Sequence, residues 1–236
     1  MEHRDRLWPG GYTFLYDDGL FRPSTDTFLL GAFPRLRRGM TVCELGAGTG
    51  LLSLLLLARE PELTVTGVEL QPAACALFRR TAEENGLQGR MHCLEGDLRQ
   101  GLLPPGRFRL AVANPPYFPV GSGKLSPDAA RAAARGETQC SMEEICAASA
   151  FLCRTGGSVN FVHKPERLSE LFCCMTAHGI EPKRLRLVCH REGAAPNLVL
   201  IDGRRGGKPG LKIEPTLILR RPDGSETDEV RRIYHR

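Results

Sequence analysis

A chain of 236 residues, 42% apolar and 25% charged with a net charge of +5, can bury a full core and has the balance of a soluble globular domain. Its longest apolar run, LLSLLLLA, is far shorter than a bilayer crossing, and MEHRDR at the start has no apolar stretch, so neither a membrane span nor a secretory signal is expected. Nine cysteines, an odd number with no Cys-x-x-Cys pair and no clustered His, exclude a disulfide frame or zinc site and suit reduced thiols in a cytoplasmic protein.

In chain order, YTFLYDDGLF (12–21) reads as a β-hairpin folded about Asp-Asp-Gly. PSTDTFLLGAF (23–33) then offers a Ser/Thr cap followed by apolar residues at helical spacing. From TVCEL (41–45) the rhythm is strand, turn, helix. GLLSLLLLARE is a helix, LTVTGVEL a strand, PAACALFRRTAEENG a helix ending at its Gly, and MHCLEG a strand. FRLAVAN is the next strand, SMEEICAASAFLCRTGG (141–157) a helix, SVNFVH a strand and PERLSELFCCMTAHGI a helix. RLRLVCH (184–190) and NLVLIDG (197–203) close the series as two strands with no helix between them. The alternation predicts an α/β fold: a doubly wound, seven-stranded, mostly parallel sheet with one antiparallel edge strand. Residues 40–236 form this domain, and residues 1–39 an N-terminal hairpin and helix expected to pack on its ligand site.

Open sheets of this kind bind ligands beyond the carboxyl ends of the strands. The first strand ends in ELGAGTG, with Gly46, Gly48 and Gly50. Glycines allow a tight turn and close backbone approach, and the next helix presents free N–H groups; a purely structural turn is the alternative. A dinucleotide fingerprint needs its last glycine at position 51, which is Leu, so an NAD site is disfavoured. The second strand ends in Glu69, which can accept both hydroxyls of a ribose or be an exposed charge. Asp97 ends the third, able to accept from an exocyclic amine or to cap a following helix turn. The fourth ends in Asn114-Pro115-Pro116-Tyr117, a stiff turn that fixes an amide, a carbonyl and an aromatic ring. It reads as a clamp for a planar group bearing an amine.

These residues, in this order, resemble the class I S-adenosylmethionine-dependent methyltransferases over residues 40–205. The resemblance implies S-adenosylmethionine as cofactor, with Gly46, Gly48 and Gly50 along its methionine end and Glu44 near its ammonium. It implies Glu69 on the ribose, Asp97 on the adenine, and Asn114 between cofactor and substrate. STDTFLLGAF, NPPYF, ARGE, HKPERLSELF, GIEPKRLRLV and NLVLIDGRRGGKPGLKIEPTLIL are similar to the bacterial tRNA(Val) adenine-N6 methyltransferases, which modify the adenine after the anticodon. In ARGE, Gly136 stands where that family more often has His.

An aromatic amine is a poor nucleophile because its lone pair is delocalised. The Asn114 amide oxygen and the Pro115 carbonyl, each accepting one N–H, free that lone pair, while Tyr117 stacks on the base. No metal is required. The expected partner is the anticodon stem-loop of a tRNA, where an unstacked base enters easily. Residues 1–153 hold 16 Lys and Arg against 17 Asp and Glu, whereas residues 154–236 hold 16 against 10. The basic part suits an anionic partner or a solubilising surface. Phe118, Arg131 and Arg135 after the clamp, and Arg204, Arg205, Lys208 and Lys212 of a basic loop expected beside it, are the candidate RNA contacts. The protein is expected as a monomer or homodimer. A protein-glutamine methyltransferase is the rival enzyme, since a side-chain amide also offers an NH2, but few residues precede Glu44 to hold the helical substrate domain usual there. A separate target-recognition domain for DNA is lacking, and intact loop, acid and clamp residues argue against a scaffold that merely binds RNA.

Overall fold

Apolar runs separated by amphipathic helices assemble into one sheet in the computed structural model, which describes residues 1–20, 23–115 and 140–235. Strands β3 (Thr41–Leu45), β4 (Thr64–Glu69), β5 (Met91–Glu95), β6 (Phe108–Ala113) and β7 (Cys153–His163) are mutually parallel. Their spatial order is β7-β6-β3-β4-β5. The chain steps outward from β3 to β5 and then returns to β6 on the other side of β3. The strand order therefore reverses between β3 and β6, the place where a crevice opens above such a sheet.

Helices cover both faces because parallel strands are apolar on both. Helix α2 (Leu51–Arg59) is buried along nearly its whole length, since α1 (Thr25–Ala32) lies across its outer side with Gly31 against Leu55. Helices α3 (Pro72–Glu84), α4 (Met142–Leu152) and α5 (Leu168–Ala177) complete the layers. The core divides into two apolar clusters, one around Leu30, Leu54, Val65 and Phe78, the other around Leu45, Ala111, Cys146 and Phe161. Helix α4 starts in a capping box, in which Ser141 and Glu144 each accept the other's backbone N–H. It ends at Leu152, short of the expected Gly157, because Cys153 onward is already paired with β6. No helix among the described residues is long and apolar enough to cross a membrane.

Two expectations are corrected. The seven expected strands are present, but the antiparallel one is internal. Strand β9 (Pro196–Arg205) lies between β7 and β8 (Ile180–Arg191), antiparallel to both. Leu198, Val199, Leu200 and Ile201 are buried in succession, and a strand apolar on both faces cannot sit at an exposed edge. The outer side of β8 is instead covered by two short strands, β10 (Lys212–Ile213) and β11 (Leu217–Arg220), followed by α6 (Asp228–Ile233).

The hairpin also folds elsewhere. Strand β2 (Thr13–Asp17) pairs with β1 (Glu2–Arg6) ahead of it, and the reversal lies at residues 8–11, where Gly11 N–H donates to the Trp8 carbonyl. Asp17-Asp18-Gly19 is the turn by which the chain leaves the hairpin, with Gly19 N–H donating to Asp17 Oδ1. The β1 segment EHRDR has no apolar residue and so gave no periodic signal; ion pairs from Glu2 to Arg80 and from Arg4 to Glu84 hold it on α3. Asn85 fastens β2 to the same helix, accepting from Thr13 N–H and donating to its carbonyl.

Candidate active site

The glycine loop follows β3 at the reversal point. Gly46 N–H and Ala47 N–H both donate to the Val68 carbonyl, so the loop is tied to the end of β4. Gly46 has φ +68°, and a Cβ there would enter open space on the ligand side. Gly50 differs: a Cβ would lie 2.6 Å from Met91 and 2.8 Å from Phe78, so this glycine lets the loop close onto the core.

Glu44, at the end of β3, is only 4% exposed and accepts a 2.5 Å hydrogen bond from Ser53 Oγ. Burial pushes its carboxyl up to about 8 against the opposing pull of Ser53, and the nearby charge of Glu69 adds to the rise. Burial thus favours the neutral form of this carboxyl. Glu44 lines a small cavity of about 30 Å³ together with Thr27, Gly46, Gly48, Leu51 and Asn114.

Glu69, 8% exposed, bridges two elements: one carboxylate oxygen accepts from Gly48 N–H at 2.8 Å, the other from Gln71 N–H at 2.9 Å. Each oxygen keeps a second lone-pair position, which leaves acceptor capacity for hydroxyl groups. Asp97 is committed locally. It caps the turn Leu98–Gln100 by accepting from Arg99 N–H, and the Arg99 guanidinium grips both its oxygens, holding its carboxyl below the usual range. Of its two sequence readings, the cap is the one observed.

Asn114 follows β6 directly. Its amide Nδ2 donates to Thr27 Oγ1 at 3.1 Å, and Thr27 Oγ1 lies 3.2 Å from Ser24 Oγ, the residue that precedes α1. Pro115 is buried beside it. Tyr117, Phe118, Arg131, Arg135 and Gly136 lie outside the described residues. Thr27 and Ser53 were missed as site residues. The available signal for Ser53 was a lone hydroxyl in an otherwise apolar helix; Thr27 sat unremarked within STDTFLLGAF.

Arg204 and Arg205 are not beside the clamp. Arg204 pairs with Ser158, which is level with Leu110 near the start of β6, whereas Asn114 follows the end of β6. Arg204 lies five residue steps along β9 from Val199 at the site's end, roughly 17 Å along the strand. Because β9 runs antiparallel, its last residues fall at the opposite end of the sheet. Arg204 donates to the Gly156 carbonyl at 2.9 Å and Arg205 to that of Cys153. Lys208 offers its carbonyl to the Lys183 ammonium, and Lys212 starts β10 on the outer side of β8, paired with Arg184. No group of three or more His, Cys, Asp or Glu side chains among the described residues is placed to hold a metal ion.

Sheet order, strand-end glycine loop and acidic residues together define a Rossmann-like fold with its ligand crevice between β3 and β6. The chain belongs to the methyltransferase small domain family, whose profile matches residues 22–162, more than half of its length. It is 29% identical over 228 residues to the tRNA1(Val) (adenine(37)-N6)-methyltransferase of Tolumonas auensis, covering 93% of this chain and 94% of that protein. The protein of the same name from Aeromonas hydrophila is 28% identical over 224 residues, 92% of each chain. Among solved structures, a predicted O-methyltransferase from Agrobacterium tumefaciens superposes with a TM-score of 0.73 at 20% identity, over 89% of this chain and 96% of that one. The Thermus thermophilus 16S rRNA N2 G1207 methyltransferase, solved with AdoMet and guanosine, superposes with a TM-score of 0.59 at 22% identity, over 87% and 50%. These two likenesses concern the fold.

Proposed function

We propose that this chain transfers a methyl group from S-adenosylmethionine to N6 of an adenine in a tRNA anticodon loop, adenine-37 of a valine tRNA. The observation that carries the reading is the meeting, at one crevice, of a buried acid, a glycine loop with open space above Gly46, and an amide whose NH2 end is already taken by Thr27. The family membership and the names of relatives that span the chain support the same chemistry.

The residues present fit the cofactor at two of its three parts. Glu44 would receive the methionine ammonium, ionising as it does so. Glu69 would accept the ribose hydroxyls with its remaining lone pairs while its present bonds hold the loop. At the adenine end Asp97 is occupied by Arg99, so any contact there requires that pair to open. When bound, the cofactor supplies an electrophilic methyl on a sulfonium sulfur. Asn114 Oδ1 and the Pro115 carbonyl then accept the two N–H groups of the adenine amine and turn its lone pair toward that methyl. Tyr117 is assigned the stacking on the flipped base, a contact worth about 1–3 kcal/mol. In this reading residues 1–39 serve as a cover, of which α1 is the part that touches the site.

The test is nucleoside mass spectrometry after incubation of purified protein and S-adenosylmethionine with transcribed valine tRNA, with the same tRNA carrying another base at position 37, and with a release factor. N6-methyladenosine confined to the first supports the proposal. Methylation of a release-factor glutamine in preference to any tRNA overturns it.

A further inference from the structure

We infer that Thr27 is a positioning residue for catalysis: its hydroxyl sets which end of the Asn114 amide faces the substrate amine. This inference rests on the methyl-transfer reading above and deepens it.

An asparagine side chain is nearly symmetric in shape but opposite in polarity at its two ends. Asn114 serves an amine only if its oxygen is presented, because a presented NH2 would set donor against donor. The structure supplies a partner for the NH2 end: Nδ2 donates to Thr27 Oγ1 at 3.1 Å. Thr27 is 2% exposed, which keeps bulk water from its side of this bond. A hydroxyl can also donate, which would favour the reversed amide. Ser24 Oγ, 3.2 Å from Thr27 Oγ1, offers an acceptor for the Thr27 hydrogen, so that the chain Asn114 to Thr27 to Ser24 can run in one direction.

The platform that holds Thr27 is itself secured at its far end. The carbonyls that finish a helix lack intrahelical partners. Those around the end of α1 are taken by two arginines, of which Arg184 is buried: Arg59 donates to the carbonyls of Gly31 and Pro34 at 2.6 and 3.0 Å, and Arg184 to that of Phe33 at 2.8 Å. The Arg184 guanidinium also lies over the Phe33 ring, 4.2 Å from its centre. Helix α1 is thus fixed against α2 and β8, and Thr27 with it.

The test uses the full chain and the variants Thr27→Val and Thr27→Ser. Valine keeps the shape and removes both the acceptor and the donor; serine keeps the hydroxyl. Thr27→Val should lower kcat on tRNA about tenfold or more, the order expected when one oriented hydrogen bond is lost. Cofactor affinity by calorimetry should stay within about twofold, and Thr27→Ser should restore most of the turnover. A second readout needs no turnover: in 15N-labelled protein the Asn114 side-chain NH2 should exchange with solvent faster in Thr27→Val than in wild type or Thr27→Ser. Equal turnover in Thr27→Val and wild type, equal losses in both variants, or a loss that tracks cofactor affinity overturns the inference. Should wild type methylate no tRNA, the functional reading fails by itself. The exchange rates still decide the role of Thr27 in that case: unchanged NH2 exchange in Thr27→Val refutes it.

Discussion

Replacing Glu44 by Gln should make the protein more stable and worse at holding its cofactor, and both effects should depend on pH. A glutamine keeps an oxygen to accept from Ser53 Oγ but cannot ionise. In the native chain the Glu44 carboxyl is pushed from its ordinary 4.5 to about 8, chiefly by burial, with Glu69 as the charged neighbour that adds to the effect. Between these two values the unfolded chain gives up the proton while the folded chain keeps it. Native stability therefore falls as pH rises through this window and levels off above about 8. At about 1.4 kcal/mol per pH unit, the gap between 4.5 and 8 caps the penalty at roughly 5 kcal/mol. Most of it accumulates between pH 5 and pH 8. The melting temperature of Glu44→Gln should exceed that of wild type by a margin that widens on the order of 10 °C over this interval. Binding runs the other way. Cofactor uptake should release nearly one proton per molecule at pH 7, with affinity rising about tenfold per pH unit below 8. In Glu44→Gln the affinity should drop at least tenfold, as a charge-assisted bond worth about 1.5–3 kcal/mol disappears, and its pH dependence below 8 should vanish. Thermal melts at pH 5 and pH 8, and calorimetry in two buffers of different ionisation heat, measure all of this. Equal stabilisation at both pH values, or native affinity that is flat from pH 6 to pH 8, would refute the reasoning.

Asn114→Ala should leave cofactor affinity close to native while lowering single-turnover methylation by about 100-fold or more; near-native turnover would remove the clamp. Glu69→Ala should weaken cofactor binding more than tenfold by titration and also lower the melting temperature, since Gly48 N–H and Gln71 N–H lose their acceptors. Arg99→Ala releases Asp97 and should tighten cofactor binding if Asp97 meets the adenine; an unchanged affinity would assign Asp97 to the turn alone. Changing Arg204 and Arg205 together to Ala should cost thermal stability, through the lost bonds to Gly156 and Cys153, yet shift tRNA affinity by less than about twofold; a salt slope for tRNA binding that drops by about two would restore them as phosphate contacts.

Much of the crevice was legible because its parts are local. Strand–helix alternation is a matter of periodicity, and a residue that ends a parallel strand is delivered to the same rim whichever strand it ends. Gly46, Glu69 and Asn114 could be placed together on that ground alone, whereas Glu44 came from the family resemblance. The two readings of Asp97 were likewise both local, and the cap is made with Arg99, two residues away. What the sequence could not determine was every contact between distant segments. Thr27 reaches Asn114 across 87 positions, and the opposite-end location of Arg204 and Arg205 depends on the direction and neighbours of β9. EHRDR, with no apolar residue, is a strand because its backbone pairs with β2. Such outcomes follow from register, from strand direction and from which surfaces remain to be covered once the core closes. Those are properties of the assembled chain, because local propensity carries no information about which distant segment will supply the missing partner.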